Sequence, residues 1–298
     1  MEIAQRHNLI VIEDNAYGLF GTCNGRKLGT IGHMATQSCH ETKNITYGEG
    51  GALVINDSRF SERAEILHEK GTNRANFFRG EVDKYTWVDK GSGYLMSDIL
   101  AACLYAQLSK SSEIQEKRKI IWSAYFCGPK GWAVTKGVQL PYVPEDCEQA
   151  FHMFYLILPS TQARINFIDH MNSEGVSTVF HYLPLHESPM GKRYNTNNNK
   201  CPVTCEVSGR LVRLPFFNDL THDQLNFVIS VVTRLHYEMH ETFALFTLGK
   251  KAWLFAEITR GADAGATCYS LKEIKKVSSL AAVLTCRIFL TILWRRIG

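Results

Sequence analysis

The opening fourteen residues, MEIAQRHNLIVIED, constrain this chain more than any other stretch. Polar residues around Ile3 and Ala4 read as the last turns of an amphipathic helix. The helix runs straight into LIVIED, a short apolar run of the kind that fits a buried parallel strand. Parallel strands are joined by crossovers of a dozen or more residues, usually helical. A helix followed at once by such a strand therefore reads as a βαβ unit met in its middle, and predicts an α/β sheet.

The rest of the chain continues the alternation. ALVINDS (52–58) predicts a strand. SRFSERAEILHEKG predicts a helix, capped by Ser58 or Ser61 and ended by Gly71. Residues 71–94 form a long polar-aromatic loop. SDILAACLYAQLSKSSEIQEKRKIIWSAYF predicts one long helix capped by Ser97 or Asp98, followed by a break from Gly128 to Gly137. The pattern changes after Gln149: FHMFYLILP is a strand, TQARINFIDHMNSEG a helix and VSTVFHYLP another strand. THDQLNFVISVVTRLHYEMH is a helix with Thr221 at its cap. Alternating helices and strands point to α/β, followed by a smaller α+β domain.

Composition narrows the functional classes. The 298 residues carry 45% hydrophobic and 21% charged side chains, as soluble globular proteins do. The net charge of +4 is small and no long basic tract appears, so nucleic acid is not implied. Nine scattered cysteines without a signal peptide suggest reduced thiols in the cytoplasm. Cys201 and Cys205 form the closest pair, with no second pair or sequence-near histidine to complete a zinc set. His181 and His186, in HYLPLH, do not have the spacing of a metal pair on their own, and no acidic partner is expected beside them. The expectation is that no metal is bound.

The stretch HETKNITYGEGG (40–51) carries the chemistry. One lysine, Lys43, stands between a Ser-Cys-His-Glu-Thr lead-in and a glycine-rich run. Upstream, Asp14 ends the LIVIED strand, and the carboxyl ends of strands are where open α/β sheets bind ligands. A carboxylate there can hold the proton of a buried pyridinium nitrogen. A nearby lysine can form an imine with a cofactor aldehyde. Ser38 can hydrogen-bond a phosphate, and the glycines permit close backbone approach.

EDNAYG, GRKLGTIGH, SCHETKN and GEGG, in this order, resemble the DegT/DnrJ/StrS-type sugar aminotransferases, a pyridoxal phosphate family of fold type I. The resemblance continues through EKGTNR, GSGYLMSDILAACLYAQL, HMFY, FHYLPLH and RLPFFNDLT, from about Met1 to His236. It implies an aspartate-aminotransferase-like α/β fold in three parts. An incomplete large domain spans 1–125, a smaller α+β domain 126–237, and a tail without family likeness 238–298.

The resemblance also implies roles. Lys43 would be the Schiff-base lysine and proton carrier, Asp14 the partner of the pyridine nitrogen, and Ser38 a contact of the cofactor phosphate. Tyr17 would sit near the cofactor ring oxygen, where the family usually has Gln or His. Gly93 stands where the family usually has an Asn that reaches the phosphate of the neighbouring subunit. His181 and Tyr182 would line the sugar-nucleotide cleft. The implied cofactor is pyridoxal 5′-phosphate. The implied reaction moves an amino group from glutamate to the 4-keto group of a dTDP-linked 6-deoxyhexose. The implied assembly is a homodimer with a shared active site, with Tyr85 and Trp87 packing the interface. Arg74, Arg79 and Lys84 form a basic loop that could meet nucleotide phosphates.

Two departures stand out. Family members begin well before this helix, with a Ser-Gly-Thr phosphate loop and an aromatic residue that stacks on the cofactor ring. Neither is found here, so the chain reads as the later part of an aminotransferase, with an unpaired sheet edge and weakened folding or cofactor binding. A remnant that at most pairs with a full-length subunit is the alternative. The tail ends in SLAAVLTCRIFLTILWRRIG (279–298), whose uninterrupted apolar stretches are too short for a spanning helix. It reads as an extension without a selected function, or as an amphipathic surface segment.

Overall fold

The structure is a computed structural model. It describes residues 1–194 and 200–235, and beyond those the backbone of 247–248, 251–256 and 267–270. It divides into two compact units, Met1–Leu235 and His236–Gly298.

The first unit opens with helix α1 (Glu2–Arg6) and strand β1 (Ile12–Asp14). Short strands β2 (Thr22–Cys23) and β3 (Arg26–Lys27) follow, then β4 (Met34–Ser38) and β5 (Gly51–Ile55). β1 pairs with β4 in parallel, with Asp14 opposite Thr36. β4 pairs with β5 antiparallel, with Ser38 opposite Gly51. The parallel pairing is the one that the opening sequence predicts. The burial is not: β1 is the edge of the sheet β1-β4-β5, and Ile12 is 60% exposed. Leu9 and Ile10 are exposed as well and Val11 is half-buried, and among the described residues no strand pairs with the free side of β1.

Glu13 holds the loop that crosses the sheet. Its carboxylate accepts from the backbone N–H groups of Gly29, Ile31 and Gly32 at 2.9, 2.7 and 2.6 Å. Burial pushes its pKa upward, but these three bonds and the nearby Arg26 bring it below the usual range.

After a 3₁₀ turn (Ser58–Phe60) come α2 (Ser61–His68) and α3 (Arg74–Phe78), the latter inside the segment predicted to be loop. Asp57 caps the 3₁₀ turn, accepting from the Arg59 N–H at 3.1 Å, and α2 starts at Ser61 without a side-chain cap, so neither Ser58 nor Ser61 caps it. The predicted single helix is two, α4 (Asp98–Ser109) and α5 (Ser111–Cys127), broken at Lys110. Ser97 caps α4 by accepting from Leu100 N–H. The predicted break from Gly128 to Gly137 contains the short α6 (Lys130–Thr135).

Strands β6 (Cys147–Glu148) and β7 (Tyr155–Ile157) lead to α7 (Thr161–Ser173) and β8 (Val179–Phe180). A second 3₁₀ turn (Leu185–Glu187), α8 (Pro189–Tyr194), α9 (Pro202–Arg210), β9 (Leu211–Arg213) and α10 (His222–Arg234) complete the unit. β7 and β8 flank β9, both antiparallel. The predicted strands around β7 and β8 are shorter than expected. α10 starts as expected, in a capping box formed by Thr221 and Gln224. The predicted end of that helix, 236–240, lies outside the described residues.

The core collects on these later elements. Phe154, Leu156, Leu158, Phe167, Met171, Val212, Val231 and Val232 are fully buried, with Tyr125 of α5 among them. Tyr125 donates its hydroxyl to the Pro215 carbonyl at 2.9 Å. Across β2 and β6, Cys23 faces Cys147 with the sulfurs 2.6 Å apart. In the second unit, β10 (Thr247–Leu248), β11 (Lys251–Ala256) and β12 (Thr267–Ser270) form an antiparallel sheet. The apolar tail 279–298 lies outside the described residues. Among the described residues no helix is long and apolar enough to cross a membrane.

Candidate active site

The loop from Cys39 to Gly51 leaves the end of β4 and returns as β5. It is closed by backbone bonds from Cys39 N–H to Gly50 O at 2.9 Å and from Tyr47 N–H to Cys39 O at 3.3 Å. Ile45 and Tyr47 anchor it by burial. Two glycines are required by this closure. Gly50 has φ +151°, and a Cβ on Gly51 would lie 2.3 Å from the Gln37 carbonyl oxygen. The His40 imidazole meets Glu49 at 3.3 Å across the loop. The loop thus presents Lys43 on a fixed base.

Lys43 reaches a cavity of about 480 Å³ that Tyr17, Asn44, Arg118, His152 and Tyr182 also line. Its Nζ stands 3.5 Å from the centre of the Tyr17 ring. Burial holds the amine below the usual lysine range, against the opposing charges of Tyr182 and Asp14. A lysine on this loop is therefore more readily neutral than a solvated one.

The predicted residues do not all meet. Tyr17, Lys43 and Tyr182 line the cavity. Asp14, at the end of β1, lies outside the lining, although its charge acts on Lys43. Ser38, at the end of β4, also lies outside it and accepts at 3.5 Å from the His40 N–H. His181 packs beside Tyr182, ring centres 5.4 Å apart, and its Nδ1 is buried without a partner among the described residues. Arg74 and Arg79, the predicted phosphate-facing cations, are engaged instead by Glu69 at 2.5 Å and by Glu65 and Glu81, each at 2.9 Å.

Sequence reasoning passes over Arg118 and Asn44 in the buried polar floor of the cavity, and takes His152 for a structural or substrate-rim histidine. Arg118 of α5 donates to the Phe151 carbonyl at 2.9 Å, to the His152 carbonyl, and to Asn218 Oδ1 at 2.9 Å. Burial pushes its pKa down to about 10. His152 lies against Tyr17, ring centres 4.5 Å apart, and its Nδ1 meets Asn44 Oδ1 at 2.9 Å. Asn44, next to the lysine, donates to the Ala150 carbonyl at 2.5 Å. These hydrogen bonds join residues 33 to 108 positions apart, so no local spacing announces them. The one available signal was Asn44 itself, a polar residue set in a loop whose next residue is buried.

Comparison with known proteins gives the class first: the architecture is that of pyridoxal phosphate-dependent transferases of fold type I. Residues 1–233 match the sequence model of the DegT/DnrJ/EryC1/StrS aminotransferase family, and the chain belongs to that family. GDP-perosamine synthase of Caulobacter vibrioides is 30% identical over 241 residues, 79% of this chain and 61% of that protein. The dTDP-3-amino-3,4,6-trideoxy-alpha-D-glucose transaminase of Streptomyces venezuelae is 27% identical over 78% of this chain and 58% of its own length. The crystal structure of S. venezuelae DesV, solved in complex with a reaction intermediate, superposes with TM-score 0.67 at 26% identity, covering 78% of this chain and 59% of that one. The chain thus spans about three fifths of the length of the curated relatives it matches. Aminotransferases of this family use pyridoxal 5′-phosphate.

The residues present fit that cofactor in their donor chemistry. A desolvated primary amine, an aromatic face and a carboxylate at a strand end converge on or beside one cavity.

Proposed function

We propose that this chain carries the lysine-bearing part of a pyridoxal phosphate-dependent sugar aminotransferase of the cytoplasm. Its reaction would transfer the amino group of glutamate to C4 of dTDP-4-dehydro-6-deoxyglucose. The product would be dTDP-4-amino-4,6-dideoxygalactose, for surface polysaccharide synthesis of the enterobacterial common antigen type. The similarity of HETKN, EKGTNRANFFRGEVDKYTW and YLMSD to that transaminase supports the sugar. The observation that carries the reading is Lys43, an amine depressed by burial at the rim of a cavity.

Pyridoxal phosphate supplies an electrophilic aldehyde and an electron sink when bound. Lys43, whose amine burial holds below the usual lysine range, would hold the cofactor at its aldehyde and, with its amine free, would move a proton at the substrate carbon. Asp14 would keep the proton on the pyridine nitrogen. The Tyr17 ring shields Lys43 Nζ from water on one side. Arg213 lines the same cavity and lies 5.8 Å from the Tyr182 ring centre, a guanidinium suited to a nucleotide diphosphate. Ser38 as phosphate contact and His181 and Tyr182 as sugar contacts complete the proposed set.

A homodimer with a shared site is part of this reading, and the exposed faces of α4 support it. Ile99 and Tyr105 are each 76% exposed, as is Trp87 on the preceding loop. The same exposure favours a second reading, in which the chain is inactive alone and works at most beside a complete subunit.

Borohydride reduction after addition of pyridoxal phosphate, with peptide mapping, tests the assignment. The label is expected on Lys43 and is expected to vanish in Lys43→Arg, which keeps the charge but cannot be trapped. A label on another lysine would overturn the site. No label on folded protein would favour the second reading.

A further inference from the structure

The sequence leaves Cys201 and Cys205 without a histidine, but the fold supplies one. The 3₁₀ turn Leu185–Glu187 folds back on α8 closely enough that a Cβ on Gly191 would lie 1.7 Å from the Leu185 carbonyl oxygen. The Ser188 hydroxyl fastens the turn, donating to the same carbonyl at 2.7 Å. Pro202 stands in the first turn of α9 and places Cys205 near the helix start, facing this turn.

Three donor atoms converge there. Cys205 Sγ lies 3.3 Å from His186 Nε2 and 3.2 Å from Glu187 Oε1. All three donor atoms fall within 4.8 Å of one another. His186 and Cys205 are half-buried, and Glu187 is exposed. Glu187 follows His186 directly in sequence and is the acidic partner that spacing arguments passed over.

We propose that His186, Glu187 and Cys205 hold a borderline divalent cation, zinc first. Tetrahedral zinc with Zn–S about 2.3 Å and Zn–N about 2.0 Å separates its sulfur and nitrogen ligands by about 3.5 Å. The two sulfur separations, 3.3 Å to His186 Nε2 and 3.2 Å to Glu187 Oε1, lie within a few tenths of an ångström of that value, and the imidazole and carboxylate atoms lie within 4.8 Å of each other, so side-chain rotations admit the ion. Thiolate and imidazole select zinc-like ions over magnesium or calcium, which prefer all-oxygen sets. None of the three residues lines the Lys43 cavity, so the site is structural and independent of the proposed reaction.

The test uses the full chain, reduced and stripped of metal, titrated with Co²⁺ as the spectroscopic probe. A thiolate-to-cobalt charge-transfer band saturating at one equivalent and displaced by Zn²⁺ is expected. Cys205→Ser is expected to abolish the band, and His186→Asn and Glu187→Gln to weaken binding. Cys103→Ser, an exposed thiol on α4, is expected to leave it unchanged. Circular dichroism checks that each variant is folded. No band on the parent chain, or a band that survives Cys205→Ser, would overturn the proposal. The thiol–carboxylate hydrogen bond would then be the whole content of the cluster.

Discussion

The two ends of the first unit bury their apolar residues differently. Around β7, β9, α7 and α10, Phe154, Leu156, Phe167, Val231 and their neighbours are enclosed by this chain alone. Around β1, β5 and α4, residues of the same kind stand outside: Ile12, Leu53, Ile99 and Tyr105 are all exposed. The contrast is one of partners rather than composition. The later elements are covered by helices, with α7 against β9 and α9, and α10 against α5, whereas α4 has no buried residue and Ile12 of β1 stands exposed. Lys43 lies between the two regimes, on a loop anchored by Ile45 and Tyr47, in a cavity whose floor belongs to the later elements.

The sharpest way to break this comparison is to hollow the enclosed region. Phe154→Ala removes a fully buried ring packed against Trp122 and Tyr125. It is expected to cost about 3–5 kcal/mol in urea unfolding. A cost near zero would mean that this region is no better packed than the exposed one.

The next effect is a pH dependence. Burial first, then the charges of Arg118, Lys43 and Arg213, hold His152 down to about 4, from 6.5. Between these values the unfolded chain binds a proton that the folded chain refuses. The stabilisation is therefore full above 6.5 and is lost as the pH falls toward about 4. Over that window the loss is expected to reach about 3 kcal/mol. His152→Asn should flatten the slope of unfolding free energy against pH, and an unchanged slope would assign it to other groups.

A smaller effect comes from the capping box of α10. Thr221→Ala removes the acceptor of the Gln224 N–H and is expected to cost about 1 kcal/mol, read as a lowered unfolding midpoint. The smallest is expected at the open edge. Ile12→Ser should change stability by no more than about 0.5 kcal/mol. A cost above about 2 kcal/mol would mean that another chain covers β1 in solution.

Local features were legible in the sequence wherever the cause was local. Thr221, with Gln224 three residues on, announced the start of α10, and Ser97 announced α4. Gly50 and Gly51 announced a tight return into β5. Where the cause was distant, the reading failed. The break at Lys110 is the exception, since it falls in Ser109-Lys110-Ser111-Ser112, a local cue that the reading of one helix ran through; α3 lies in a segment rich in polar residues. A 3₁₀ turn capped by Asp57 precedes α2, so neither Ser58 nor Ser61 caps the helix. Arg74 and Arg79 looked free in sequence because Glu69, Glu65 and Glu81 meet them only after α2, α3 and the following turn are arranged.

The sequence by itself pointed to the family, to a parallel strand at LIVIED, and to Lys43 as the candidate amine. Those rest on residue identity and short-range order, which folding does not change. Only the tertiary structure decided that LIVIED is exposed, that Arg118 and His152 form the cavity floor, and that His186 and Glu187 meet Cys205. Burial, desolvation and donor convergence depend on which distant segments pack together, and separation along the chain does not encode that packing.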